Sequence, residues 1–133
     1  MKERMMFEEP GFVFGYDADD GIFTITLAGL WTMETVDRYV AATQALRAAA
    51  PPGVTAERTL VDLRQAQLHV REVAEALSVS MRRGADDIRR TAVVVRSALD
   101  ALQARRISPA RETRSFTDIA AARAWLIAPD DAD

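Results

Sequence analysis

The chain has 133 residues, a formal net charge of -3, 49% apolar residues and 28% charged residues. That length and balance fit one ordinary globular domain and argue against disorder, and the mild acidity leaves no basic excess for phosphate backbones, so nucleic acid is not an expected partner. Cysteine is absent, which excludes disulfides, thiolate chemistry and zinc–thiolate or iron–sulfur sites.

The lack of cysteine also fits a reducing cytoplasm, the expected location. The start, Met1 to Glu9, has no apolar core of a signal peptide. No run approaches the ~18 apolar residues that span a bilayer, so membrane insertion is not expected. Residues 1–9 and 128–133 read as flexible ends of a single domain over 1–133.

The first strand is read where Phe12, Phe14 and Tyr16 alternate with Val13 and Gly15. Asp17-Ala18-Asp19-Asp20-Gly21 follows as a hairpin turn; it is too short for a calcium loop. Phe23, Ile25 and Leu27 alternate with Thr24 and Thr26 in a second, antiparallel strand ending at Ala28-Gly29. Thr32 is the expected N-cap of a helix with Glu34 in its first turn and Val36, Tyr39, Val40, Thr43 and Leu46 on one face. Pro51-Pro52-Gly53 stops it.

Arg58 to Arg64 reads as a buried strand ending in charge. Val70, Val73, Ala74, Leu77 and Met81 mark a second helix, with Gly84 near its end. A further buried strand runs from Arg90 to Arg96. Two apolar strands joined through one helix predict a parallel βαβ crossover. Ser97 with Asp100 starts a third helix carrying Leu99 and Leu102, and Pro109 ends that region. Arg111 to Phe116 reads as an edge strand, and Thr117 is the expected cap of a last helix with Ile119, Ala122, Trp125 and Leu126 inward. The predicted class is α/β, in the order β-β-α-β-α-β-α-β-α, with a mixed five-stranded sheet.

Gly29-Leu30-Trp31-Thr32 leading into a helix with Tyr39, then Leu60-Val61-Asp62-Leu63-Arg64, Arg90-Thr91-Ala92-Val93-Val94-Val95, Arg114-Ser115-Phe116-Thr117-Asp118 and Ala122-Arg123-Ala124-Trp125-Leu126 form an ordered set. From about Phe12 to Leu126 the chain resembles the SpoIIAA-like (STAS-like) family of small bacterial proteins. The resemblance implies a mixed sheet with helices packed along it and, for much of the family, no known catalytic activity. In related proteins the fold serves as an anti-sigma-factor antagonist, a transporter appendage, or a lipid or nucleotide binder. The antagonists carry a phosphorylatable serine or threonine, preceded by aspartate, at the helix start after the third strand. Here that region is Gln65-Ala66-Gln67-Leu68-His69-Val70, with no hydroxyl, and Ser78 and Ser80 come well inside the helix. The phospho-switch is therefore not expected.

Loops at the carboxyl ends of parallel strands gather where ligands bind open α/β sheets. Here these are Gly29 to Thr32, Asp62 to His69, and Arg96 to Ser97. Trp31, Thr32, Arg64, His69, Arg96 and Ser97 are the candidate ligand- or partner-binding residues. In one reading Arg64 and Arg96 face a small anion, with Thr32 and Ser97 adding hydroxyl donors; in the other they are solvated or pair with Asp62 and Asp100. Trp31 is either an exposed aromatic contact or a packed staple at the helix entrance. His69, the only histidine, is a surface residue in one reading and a general base in the other, but no nucleophile motif accompanies it. Asp62 reads either as a buried acid or as an acceptor for loop amides. Arg82, Arg83, Arg89 and Arg90, with Asp86 and Asp87, read as a mixed-charge surface turn or a patch for an acidic partner.

These readings predict no catalytic residues, no metal and no cofactor. The leading expectation is a non-catalytic cytoplasmic binding or regulatory module with an unidentified protein partner. The alternative is a carrier or sensor of a small anionic or lipid-like ligand, lined by Trp31, Leu68 and Leu99. A homodimer is compatible with apolar surface left by the first helix and hairpin.

Overall fold

In the computed structural model the described residues are 3–49, 53–55, 57–67, 75–76, 88–97 and 112–129, with side chains from Glu8 onward. A mixed sheet of six strands runs in sequence order: β1 (Glu3–Glu9), β2 (Phe12–Asp17), β3 (Ile22–Leu30), β4 (Arg58–Gln67), β5 (Arg90–Val94) and β6 (Glu112–Phe116). The first three strands are antiparallel neighbours; β3, β4, β5 and β6 are parallel neighbours. The described helices are α1 (Met33–Ala48) and α2 (Ile119–Ile127). The two valine- and leucine-rich runs thus lie side by side and parallel, with Leu60 aligned to Ala92 and Asp62 to Val94.

The expected sheet had five strands; the sixth is β1, in a segment read as a flexible end. It forms because Pro10 and Gly11 turn the chain back so that Glu9 aligns with Phe12. The helices expected around 70–81 and after Ser97 lie largely outside the described residues, as do Arg111 and residues 130–133. Glu75 and Ala76 are helical, and Ala76 packs against the larger core.

Alternation along the strands makes two apolar layers, one on each sheet face. Phe12, Phe14, Phe23, Ile25, Leu27 and Val61 face α1, which contributes Val36, Tyr39 and Ala42. Ile22, Leu60, Ala92 and Val94 face α2, which contributes Ala122 and Leu126. The α1 layer is aromatic: Tyr39 sits edge-on to Phe12 and Trp31, with ring centroids 5.5 Å apart in both pairs. Fully burying side chains of this size stabilises by about 1.5–3 kcal/mol each, so this layer holds the hairpin, β3 and α1 as one unit.

Helix ends follow local chemistry. The Thr32 hydroxyl accepts from the Thr35 amide at 3.3 Å, and the Thr32 amide donates to the Thr35 hydroxyl at 3.5 Å, closing a capping box. The cap of α2 is Asp118 rather than Thr117, its carboxylate accepting from the Ala121 amide at 3.1 Å. At the other end of α2, Arg58 donates Nε to the Leu126 carbonyl at 2.9 Å. Arg90 donates Nη1 to the carbonyls of Trp125 at 2.8 Å and Ala128 at 2.9 Å, and Nη2 to that of Pro129 at 3.4 Å. Arg90 is buried, which corrects the surface-turn reading for this residue, and it ties down Ala128 and Pro129, expected to fray. A helix C-terminus presents unpaired carbonyls, and a guanidinium fork answers several of them together.

Candidate functional site

The carboxyl ends of β3, β4, β5 and β6 converge on one rim, and most candidate residues fall there. Sequence reading ended this strand at Arg64, but β4 continues to Gln67. A register shift between Thr26 and Ala28 lets β4 resume pairing with β3, Ala28 against Gln65 and Leu30 against Gln67. The rim therefore begins later on both strands than expected.

Trp31 lies at this rim, but its side chain points into the core at 0% exposure. Its indole Nε1–H donates to the Gly11 carbonyl at 3.2 Å, and its amide donates to the Gln67 carbonyl at 3.1 Å. It is a packed staple between the hairpin and α1 and presents no ring to a ligand. Thr32 is exposed, with its hydroxyl engaged in the capping box.

Arg64 is held by Asp62. Its Nε donates to Oδ1 at 3.0 Å and its Nη2 to Oδ2 at 2.8 Å, while the Arg64 amide also donates to Oδ1 at 3.1 Å. That is the bidentate geometry of a strong carboxylate–guanidinium pair. The hydrogen bonds to Asp62, its negative charge, and the more distant charge of Asp118 all raise the Arg64 pKa, so the guanidinium stays charged. Of the two readings for Arg64, pairing is the one the geometry displays. Asp62, buried at 7% exposure, accepts from the amide of Arg64, which stands within β4 and not in a loop at a helix start.

Arg64 and Arg96 each stand two residues beyond the last aligned pair of the β4–β5 ladder, Asp62 with Val94. Arg96 and Ser97 are exposed. His69 lies outside the described residues. Among the described residues no group of three His, Asp or Glu side chains is placed to hold a metal ion, and no described helix is long and apolar enough to cross a membrane.

The feature that sequence reading missed flanks Trp31. Leu30 is 61% exposed and Met33 is 45% exposed, two of the three large apolar side chains so displayed among the described residues. The signal for Leu30 was present. Core positions of β3 run Phe23, Ile25, Leu27, so Leu30 is out of phase with them, and Gly29 at φ 77° turns the chain there. Glu34 and Asp37 beside them on α1 are also exposed. The neighbouring cation, Arg38, is engaged with the Glu9 carboxylate at 3.4 Å and the Pro10 carbonyl at 3.0 Å. The corner between β3 and α1 is thus apolar and acidic.

Among solved structures, the chain is similar to an uncharacterised protein of the DUF3478 family with a SpoIIAA-like fold from Shewanella loihica PV-4. The similarity covers 94% of this chain and 92% of that one, at a TM-score of 0.60 and 16% identity. The chain has a SpoIIAA-like fold. The expected architecture is therefore present, with six strands where five were expected. No protein-family model matches the sequence, and no curated protein matches it. At this identity the SpoIIAA-like likeness concerns the fold alone.

Proposed function

We propose that this chain is a non-catalytic cytoplasmic binding module that recognises a protein partner at the corner between β3 and α1. The observation that carries the reading is the display of Leu30 at 61% and Met33 at 45% exposure on either side of a fully buried Trp31. Trp31 anchors the backbone, and the capping box fixes the start of α1, so the two apolar side chains are held outward on rigid structure. Such preorganisation favours recognition because little is left to order on binding. Glu34 and Asp37 make the flank acidic, so the matching partner segment is one of apolar side chains bordered by lysine or arginine. Thr32 lies within this surface; Arg64, Arg96 and Ser97 extend the rim away from it.

A carrier of a small anionic or lipid-like ligand draws less support. Trp31, which would line the pocket, is packed in the core, and Arg64, which would hold the head group, gives two donors to Asp62.

Affinity purification from the native host tests the reading, with the wild type beside Leu30→Ser/Met33→Ser, Glu34→Lys/Asp37→Lys and the control Ile127→Ser, whose apolar side chain is 45% exposed at the far end of α2. The expected result is a protein retained by wild type and control and lost by both corner variants. Recovery of the same proteins by all four, or of none by the wild type, overturns it.

A further inference from the structure

We propose that β1 is the interface of a homodimer, pairing antiparallel with β1 of a second copy to join the two sheets. The two sheet edges differ. β6 is five residues long and places the exposed charges Glu112 and Arg114 on its alternate positions, a pattern that discourages edge pairing. β1 is seven residues long, with Met5-Met6-Phe7 at its centre and charge at its ends. Among the described residues no strand pairs with its outer edge.

The sequence of β1 is self-complementary in one register. With Arg4 opposite Glu9 of the second copy, Met5 stands opposite Glu8, Met6 opposite Phe7 and Glu3 opposite Pro10, so no like charges meet. The two-fold axis repeats the Arg4–Glu9 pairing. The irregularity between Met5 and Phe7 supports this register: it aligns Arg4 with Tyr16 and Glu9 with Phe12, two members of the same core layer, which matches the two positions across the interface. A shift of one residue in one direction sets Glu3 against Glu9, and like charges directly opposite are destabilising; in the other direction it sets Arg4 against Pro10 and Glu9 against Met5, which leaves Arg4 with no acid opposite it. Glu9 uses Oε1 toward Arg38, leaving Oε2 as the acceptor on the interface.

Sedimentation velocity on the full chain tests the proposal. The wild type is expected to sediment at twice its 14.7 kDa monomer mass. Arg4→Glu is expected to weaken association by about tenfold or more, and Arg4→Glu/Glu9→Arg to restore it. Met6→Pro, which removes a backbone donor, is expected to yield monomer, and Arg114→Glu on the opposite edge to leave the dimer intact. Circular dichroism establishes that each variant is folded. A wild type that stays monomeric up to about 0.1 mM, or a dimer insensitive to Arg4→Glu, overturns the proposal. The corner at Leu30 and Met33 takes no part in this interface, so failure here leaves the partner-binding reading standing.

Discussion

Trp31 and Gly11 are joined by a hydrogen bond from the indole Nε1–H to the Gly11 carbonyl, 3.2 Å long, across the junction of hairpin and helix. The same junction holds the Ala28 amide on the Gly11 carbonyl at 2.8 Å. One carbonyl in the β1–β2 turn thus receives both the β3 strand and the entrance of α1. The exposed corner residues Leu30 and Met33 depend on it for their position.

Gly11 is therefore expected to be intolerant of a side chain. Its φ is 101°, and a Cβ there would stand 3.0 Å from the Thr35 Cγ2. Gly11→Ala should destabilise by about 1–3 kcal/mol through backbone strain and crowding. Adding Thr35→Ser keeps the capping hydroxyl, removes the methyl, and should recover part of the loss. Urea denaturation of the three proteins checks this; equal stability of wild type and Gly11→Ala would contradict the geometry.

Asp17 is fully buried. Its Oδ1 accepts from the Asp19 amide at 3.0 Å and from the Asp20 amide at 3.4 Å, and its Oδ2 pairs with Arg123 of α2. Asp17→Asn leaves the Arg123 guanidinium only the more exposed Asp20 carboxylate, 3.7 Å away, and should cost about 1.5–3 kcal/mol. Arg123→Met added to it should cost less than the sum of the two single changes. A double-mutant cycle by chemical denaturation reads the coupling; strict additivity would show that the pair contributes nothing.

Arg90 organises the end of α2. Arg90→Ala should lose about 2–4 kcal/mol, since it removes charge-assisted hydrogen bonds to several carbonyls at the end of α2. Arg90→Lys should rescue little of this, because an ammonium lacks the planar fork and the stacking that puts the guanidinium carbon 5.4 Å from the Trp125 ring centroid. Thermal melts followed by Trp fluorescence separate the outcomes, and full rescue by lysine would reduce the role of Arg90 to its charge.

Stability at high pH should report on Tyr39. Burial pushes its phenol well above the ordinary value, only partly offset by the positive charge of Arg47. The folded pKa exceeds the unfolded one, so this stabilisation is complete below pH about 10 and is lost as pH rises beyond it, where only the unfolded chain ionises. The slope contributed approaches about 1.4 kcal/mol per pH unit. Tyr39→Phe removes that component, so its stability should fall less steeply between pH 9 and pH 11 (about the phenol range). Denaturant midpoints across that interval test it, and identical slopes would place Tyr39 in contact with water.

Local chemistry in the sequence determined much of the scaffold. The period-two alternation from Phe12 to Leu27 around Asp-Asp-Gly required a hairpin, because an apolar face and a tight turn leave no other economical pairing. The apolar runs Leu60 to Leu63 and Ala92 to Val95 required buried strands, and Thr32 before a helical stripe required a cap. Each is a short-range constraint, settled by neighbours a few residues apart, and each is present in the fold. What depended on distant partners was decided only by the tertiary structure. Trp31 became core because Gly11, far back in the chain, offers its indole an acceptor and Tyr39 offers a ring. Arg90 became a buried cap because α2, formed from residues beyond 118, ends over it. Asp62 and Arg64 close on each other because the register of β4 against β3 shifts beside them. Whether a polar or aromatic side chain turns outward is set by the partner it meets after folding, and the residue alone carries no record of that partner.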